Sequence, residues 1–145
     1  MEYQLFITAD GSPTLYLPQW DEYYHSKHGA MQESTYVFIQ QGLDFWYQNH
    51  PKKTQCDVFE MGFGTGLNFI LTWRLWKKNR KPNSSLTYIS FEKAPLSKKE
   101  MTRVHKKFKE LNDFSDQLIQ KLTDNYKTNR TIYFKSENIN LILIY

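Results

Sequence analysis

Three glycines at alternate positions, Gly62-Phe-Gly64-Thr-Gly66, constrain this chain more than any other feature, because they join two segments of different periodicity. Before them, Cys56-Asp-Val-Phe-Glu-Met61 is a short strand candidate; after them, Leu67, Ile70, Leu71, Trp73, Leu75 and Trp76 recur as in a strongly apolar helix. A glycine turn between strand and helix lets the backbone approach a ligand closely and presents amide N–H groups at the positive helix end. The helix closes on the basic run Lys77-Lys-Asn-Arg-Lys81 ahead of Pro82, as the macrodipole favours.

The rest of the chain continues the alternation. Residues 86–91 read as a second strand, and Ser97-Lys-Lys-Glu100 is a capping box opening a helix with Met101, Val104, Phe108 and Leu111 on one face. Leu118, Ile119 and Leu122 mark a further helical stretch, and residues 131–134 and 139–145 are strands joined by the polar link 135–138. Strand, helix, strand, helix, strand is the order of a parallel α/β sheet. Ahead of it, residues 2–7 and 14–17 flank the turn residues Asp10-Gly11-Ser12-Pro13 and predict a hairpin. Residues 20–30 read as irregular. Residues 31–49 carry Tyr36, Phe38, Ile39, Leu43, Phe45, Trp46 and Tyr47 at roughly helical spacing, with Gly42 as a possible break and Pro51 as a stop.

Composition narrows the class. With 145 residues, 17% aromatics and a net charge of +4, the chain has the apolar surface of one folding domain and not the composition of a disordered tail. No apolar run is long enough to span a bilayer, and the opening MEYQLFITAD is acidic and turn-forming rather than a secretory signal. The lone Cys56 has no intramolecular disulfide partner and cannot anchor the usual four-ligand zinc site, which fits a cytoplasmic setting. His25 and His28 with Glu33 lack a recognisable third-ligand spacing, so no metal is expected.

The glycine string separates two ligand classes. A dinucleotide fingerprint, G-x-G-x-x-G, would need glycine where Leu67 stands. The spacing is instead E-x-G-x-G-x-G, with Glu60 two residues before the first glycine. That carboxylate suits a cationic, phosphate-free ligand, and S-adenosylmethionine carries both a sulfonium and an ammonium group. Glu92, at the end of the second strand, falls where an acid accepts the ribose hydroxyls of a bound adenosyl group. A purely structural strand-to-helix turn is the bland reading of the same residues.

Further residues carry a resemblance. Tyr24-His-Ser, Gly29-Ala30, Glu33-Ser34-Thr-Tyr-Val37-Phe38, Gly62-Phe-Gly-Thr-Gly-Leu-Asn68-Phe69 and Phe91-Glu-Lys-Ala-Pro-Leu96 are similar to the methyltransferase domain of the MnmC family, over nearly the whole chain. The resemblance implies a Rossmann-like class I methyltransferase fold, with residues 1–54 forming a hairpin and helix that cover the cleft and residues 55–145 forming the first half of the cofactor domain. It implies S-adenosylmethionine-dependent methylation of 5-aminomethyl-2-thiouridine to 5-methylaminomethyl-2-thiouridine at the tRNA wobble position, in the cytoplasm, with no FAD. Position by position, it places Glu60, Gly62, Gly64 and Gly66 against the methionine part of the cofactor and Glu92 on the ribose, with Leu67 and Asn68 shaping the same wall. Tyr24, His25, Ser26 and Glu33 lie in the family's N-terminal motif, without individual roles.

The same resemblance implies a departure. The family continues past the strand matching residues 139–145, and the carboxylate expected to serve catalysis lies beyond Tyr145. In the usual sheet order 3-2-1-4-5 the chain supplies one side of the switch point, so the strand at 56–61 is expected to form an edge, and the chain to be a fragment. A non-catalytic adenosyl- or RNA-binding fragment is the alternative, and a dinucleotide enzyme a third, opposed by Leu67 and Glu60. Lys77, Lys78, Arg80 and Lys81, with the basic residues between Lys98 and Lys109, admit either an RNA backbone or plain solvated helix faces. Trp20, Tyr23 and Tyr24 admit either base stacking or packing on the hairpin.

Overall fold

The computed structural model describes residues 2–123 and 130–145. Its N-terminal part is a small antiparallel sheet in the order β1 (Gln4–Ile7), β2 (Pro13–Leu17), β3 (Glu22–Tyr23). The predicted hairpin is present, and a short third strand occupies part of the stretch read as irregular. The turn between β1 and β2 has a second task. Thr8 Oγ1, Ser12 Oγ and Asp10 Oδ2 accept the N–H groups of Ala30 (3.4 Å), Met31 (3.0 Å) and Gln32 (2.9 Å), the first amides of α1 (Ala30–Ser34). The helix N-terminus is thus capped from about twenty residues upstream, which satisfies donors that have no partner within a helix. Gly29 is required there by proximity, since a Cβ would stand 2.6 Å from Asp10 Oδ2.

The helix expected over 31–49 is continuous in space but changes pitch. After α1 the backbone widens to a π-type turn over Thr35–Asp44 and returns to α2 (Phe45–Asn49). Gly42 does not break it. The buried positions Ala30, Ser34, Ile39 and Leu43 are spaced four, five and four apart, and the five-residue step needs the wider turn to keep one face inward. Tyr47 stacks on Trp76 with ring centroids 5.8 Å apart, which fixes this segment against the helix that follows the glycines.

The second sheet contains β4 (Gln55–Met61), β5 (Ser85–Phe91), β6 (Thr131–Ser136) and β7 (Ile139–Ile144), in the order β4-β5-β7-β6. β4, β5 and β7 are parallel; β6 runs antiparallel to β7, so the sheet is mixed rather than wholly parallel. The link expected over 135–138 shrinks to Glu137 and Asn138, because pairing continues to Ser136↔Ile139. Glu137 takes a positive φ of 49°, and its carboxylate meets Arg80 at 2.6 Å and Lys77 at 4.0 Å. β4 is an edge strand, as the sequence predicts.

Among the described residues the remaining helical elements are α3 (Leu67–Asn79), α4 (Lys98–His105), a short 3-10 turn and α5 (Asn112–Thr123). The capping box of Ser97 and Glu100 is formed, but α4 ends at His105, so Phe108 and Leu111, expected on its face, lie beyond it. One sheet face is buried at alternate residues: Cys56 and Glu60 on β4, Leu86, Tyr88 and Ser90 on β5, Ile139, Leu141 and Leu143 on β7. Phe69, Ile70 and Trp76 of α3 fill the core above it. The order and the parallel crossovers make the fold Rossmann-like. Among the described residues no helix is long and apolar enough to cross a membrane.

Candidate cofactor-binding site

Parallel pairing aligns the C-terminal ends of β4, β5 and β7, and the glycine turn leaves β4 at that edge. Gly62, Gly64 and Gly66 have φ of 87°, 56° and 75°, so each occupies a conformation that side chains resist. Space adds a second demand at two of them. A Cβ on Gly66 would lie 2.8 Å from the Phe63 ring, and one on Gly64 3.0 Å from Tyr24 Cδ1. Around Gly62 there is open space. The Gly62 N–H bonds to the Phe91 carbonyl at 2.8 Å, tying the start of the turn to the end of β5.

Two carboxylates flank this turn. Glu60 pairs in register with Ser90 and faces the buried side of the sheet. Its Oε1 accepts from Asn68 Nδ2 at 2.8 Å and its Oε2 from Ser90 Oγ at 3.2 Å, with the Tyr88 side chain beside it. Burial pushes the Glu60 carboxyl up to about 7; the hydrogen bonds oppose the rise and the Glu92 charge adds to it. Asn68 Oδ1, on the same side chain that donates to Glu60, is buried with no hydrogen-bond partner. Glu92, just past β5, accepts the Gly64 N–H on Oε2 and the Ala94 N–H on Oε1, both at 2.8 Å.

Glu92 and Lys93 line two clefts. One, of about 450 Å³, runs along the strand ends past Met61, Gly62, Phe91, Ile144 and Tyr145. The other, of about 610 Å³, lies under the N-terminal sheet beside Leu17, Trp20, Glu22, Tyr23, Tyr24 and Ala94. Both fall in the size range of small-molecule sites. A cationic adenosyl ligand fits these features. The open side of Gly62 leaves room for close approach and Glu92 retains lone pairs for hydroxyl donors, while the Glu60 carboxylate and the unpartnered Asn68 Oδ1 are buried acceptors that line neither cleft.

The N-terminal motif divides in the structure. Tyr24 lies against Gly64, edge-on to Tyr3 at 5.9 Å, and its hydroxyl ionises well above the usual range, through burial first and then the Tyr3 hydroxyl and nearby carboxylates. His25 bridges Thr14 Oγ1 at 3.1 Å and Thr65 Oγ1 at 3.4 Å, and burial pushes its imidazole down to about 4, leaving it neutral near pH 7. Ser26 and Glu33 meet each other: the Ser26 N–H donates to Glu33 Oε2 at 2.8 Å. Their bond closes the turn that leads into α1 rather than reaching the glycines. Sequence reasoning missed Ser90 and Tyr88, which wall Glu60, and also His105, whose Nε2 meets the Thr65 carbonyl at 2.7 Å. A histidine on the apolar stripe of α4, four residues after Met101, was the available signal.

The basic residues near α3 are largely occupied. Lys77 and Arg80 face Glu137, Lys81 donates to the Pro51 carbonyl, and Arg74 lies 3.8 Å from Glu110. Among the described residues no three His, Cys, Asp or Glu gather as a metal site.

No family profile matches the chain. Curated relatives do. The chain is 38% identical over 120 residues to the tRNA 5-methylaminomethyl-2-thiouridine biosynthesis bifunctional protein MnmC of Legionella pneumophila strain Corby, covering 79% of this chain and 18% of that protein. It is 34% identical over 102 residues to the protein of that name from Idiomarina loihiensis, covering 70% and 17%, and 32% identical over 120 residues to that from Cupriavidus metallidurans, covering 81% and 17%. The chain therefore spans under a fifth of the length of these relatives. Among solved structures, MNMC2 from Aquifex aeolicus superposes with a TM-score of 0.70 at 23% identity, over 99% of this chain and 42% of that one. In sequence over most of its length, and in a fold shared with that structure, the chain is an MnmC-like protein.

Proposed function

We propose that the chain binds S-adenosylmethionine at the ends of β4 and β5 and belongs to an enzyme that methylates tRNA wobble uridine in the cytoplasm, converting 5-aminomethyl-2-thiouridine to its 5-methylaminomethyl form. The observation that carries this reading is the pair of carboxylates about one glycine turn, Glu60 on β4 and Glu92 just past the end of the adjacent parallel strand β5. The names of the curated relatives supply the tRNA substrate. The cofactor contributes a methyl group on a positively charged sulfur, and neither flavin nor metal is needed for its transfer.

The chain's own residues bind and orient. Glu60 and the Asn68 carbonyl oxygen would hold the ammonium, and an adjacent cation would draw the Glu60 carboxyl back toward its ionised form. Glu92 would accept the ribose hydroxyls while keeping the Gly64 amide in place. Gly62, with open space where a side chain would be, gives the methionine part its approach. Residues 1–54, through Tyr24 and His25, would cover the cleft from the N-terminal side.

A second reading is binding without catalysis; both Glu92 oxygens already accept backbone N–H bonds, so Glu92 shapes the turn under either reading. Incubation with S-adenosylmethionine and tRNA lacking the terminal methyl, followed by nucleoside mass spectrometry, distinguishes the readings. The enzymatic reading expects the methylated nucleoside. Cofactor binding with no methyl transfer selects the binding-only reading, and absence of both contradicts each.

A further inference from the structure

We infer that His105 is a positioning residue of the glycine turn, holding the Thr65–Gly66 peptide in the orientation the ligand requires; the inference rests on the cofactor reading above. Three bonds define the arrangement. His105 Nε2 is 2.7 Å from the Thr65 carbonyl oxygen, which can only accept, so Nε2 carries the hydrogen. His105 Nδ1 is 2.9 Å from Ser115 Oγ; with Nε2 protonated in the neutral ring, Nδ1 accepts and the Ser115 hydroxyl donates. At the other end of the same peptide, the Gly66 N–H donates to the Phe63 carbonyl at 2.8 Å. The peptide plane is therefore pinned at both its carbonyl and its amide.

The need for pinning follows from the glycines. A peptide flanked by glycine can rotate at low steric cost, and rotation here would turn the Thr65 carbonyl away from α4 and break both bonds. Thr65 is completely buried, and its side chain is gripped by His25 while its carbonyl is gripped by His105. Tyr24, next to His25, covers Gly64. The turn's shape is thus divided between the N-terminal part and α4, which are eighty residues apart on the chain (25 and 105). A turn held in its bound form before the ligand arrives loses less freedom on binding.

His105 is itself inaccessible at 2% exposure, yet a small cleft lined by Thr102, Lys106, Ser115, Asp116 and Ile119 reaches it from the surface of α4 and α5. The charged or titratable groups around it are Asp116, Lys106 and His25, with Glu33 acting on His25. Burial favours the neutral ring, against the Thr65 carbonyl and Asp116, and the Thr65 carbonyl fixes its tautomer as Nε2–H.

The test uses S-adenosylmethionine affinity of the whole chain in His105→Leu, His105→Asn and His105→Gln. Glutamine places an amide donor near the position of Nε2, whereas asparagine is too short and leucine has no donor. Leu and Asn are expected to weaken binding about tenfold to a hundredfold, from an unsatisfied carbonyl and a loosened turn, and Gln to stay within about threefold of the parent. Equal affinity in all folded variants, or Gln as weak as Leu, would overturn the inference. If the parent chain binds no S-adenosylmethionine, the proposed function fails, and the His105 role is then decided by hydrogen exchange at the Gly66 amide. Faster exchange in Asn than in Gln supports it; equal exchange overturns it.

Discussion

Burial holds the Glu60 carboxyl up at about 7 against an ordinary value of 4.5, so the folded chain binds this proton more tightly than the unfolded one. The sign follows. The penalty is absent at acid pH, where both states are protonated, and grows as pH rises from 4.5 through 7, to about 3 kcal/mol by pH 8. Glu60→Gln should therefore raise thermal stability relative to the parent at pH 8 and make little difference at pH 5, while weakening S-adenosylmethionine binding on the order of tenfold or more at both. Parallel melting curves and titrations of the two proteins check it; a variant less stable than the parent at pH 8 would contradict the account of a costly buried charge. Among the glycines, Gly66→Ala should cost more than Gly62→Ala, roughly 2 kcal/mol or more against about 1, because only the former meets a ring at 2.8 Å in addition to its positive φ. Denaturant unfolding of both variants measures the difference. The spacing of Glu60, the glycines and Glu92 was readable because it lies in two short strings at strand ends. His105 was not, since its partner Thr65 is forty residues away and only packing brings them together.

At the scale of elements, the hairpin turn and α1 behave as one unit. Partial burial raises the Asp10 carboxyl, but hydrogen bonds from Ser12, Thr8 and Gln32 outweigh it and bring the group down to about 2. Asp10 thus supports the fold above pH 3.8 and loses that contribution as pH falls toward 2. Asp10→Ala should cost about 1–2 kcal/mol, the worth of a strong N-cap, with loss of helical circular dichroism measured on heating. His25 acts in the same direction at milder acidity: its depressed value means stability present above pH 6.5 and lost as pH falls through about 4, loosening the bridge from Thr14 to Thr65. The capping box at Ser97 was legible because both partners are local, and the structure contains it with Ser97 N–H to Glu100 Oε2 at 2.8 Å. The cap of α1 was not legible, because Gly29 stands at its N-cap position and the acceptors come from another element. The change of pitch over Thr35–Asp44 was hidden for a related reason: the apolar residues fit a helix of ordinary period, and only burial shows which of them face inward.

For the molecule as a whole, the order β4-β5-β7-β6 places β4 at one edge, and Phe59 and Met61 on it are 60% and 75% exposed. An exposed apolar edge favours association between chains. Phe59→Lys should lower the apparent mass in concentration-dependent light scattering without loss of fold; unchanged scattering from an already monomeric parent would show that the edge is harmless. The α/β order and the edge were readable from alternating segments; the antiparallel β6 was legible too, since a link as short as 135–138 admits only a hairpin, but the parallel reading of the alternation passed over it. The region at the strand ends combines these scales: parallel strands bring Glu60 and Glu92 to one end of the sheet, Gly62 faces open space, Gly64 and Gly66 are closely packed, and two histidines fasten the turn. Calorimetric titration with S-adenosylmethionine and, separately, with NAD, on the parent chain and on Glu92→Ala, tests that combination most directly. The account predicts binding of S-adenosylmethionine alone and a loss of about tenfold or more in the variant; binding of NAD in its place, or an affinity unmoved by Glu92→Ala, would contradict it.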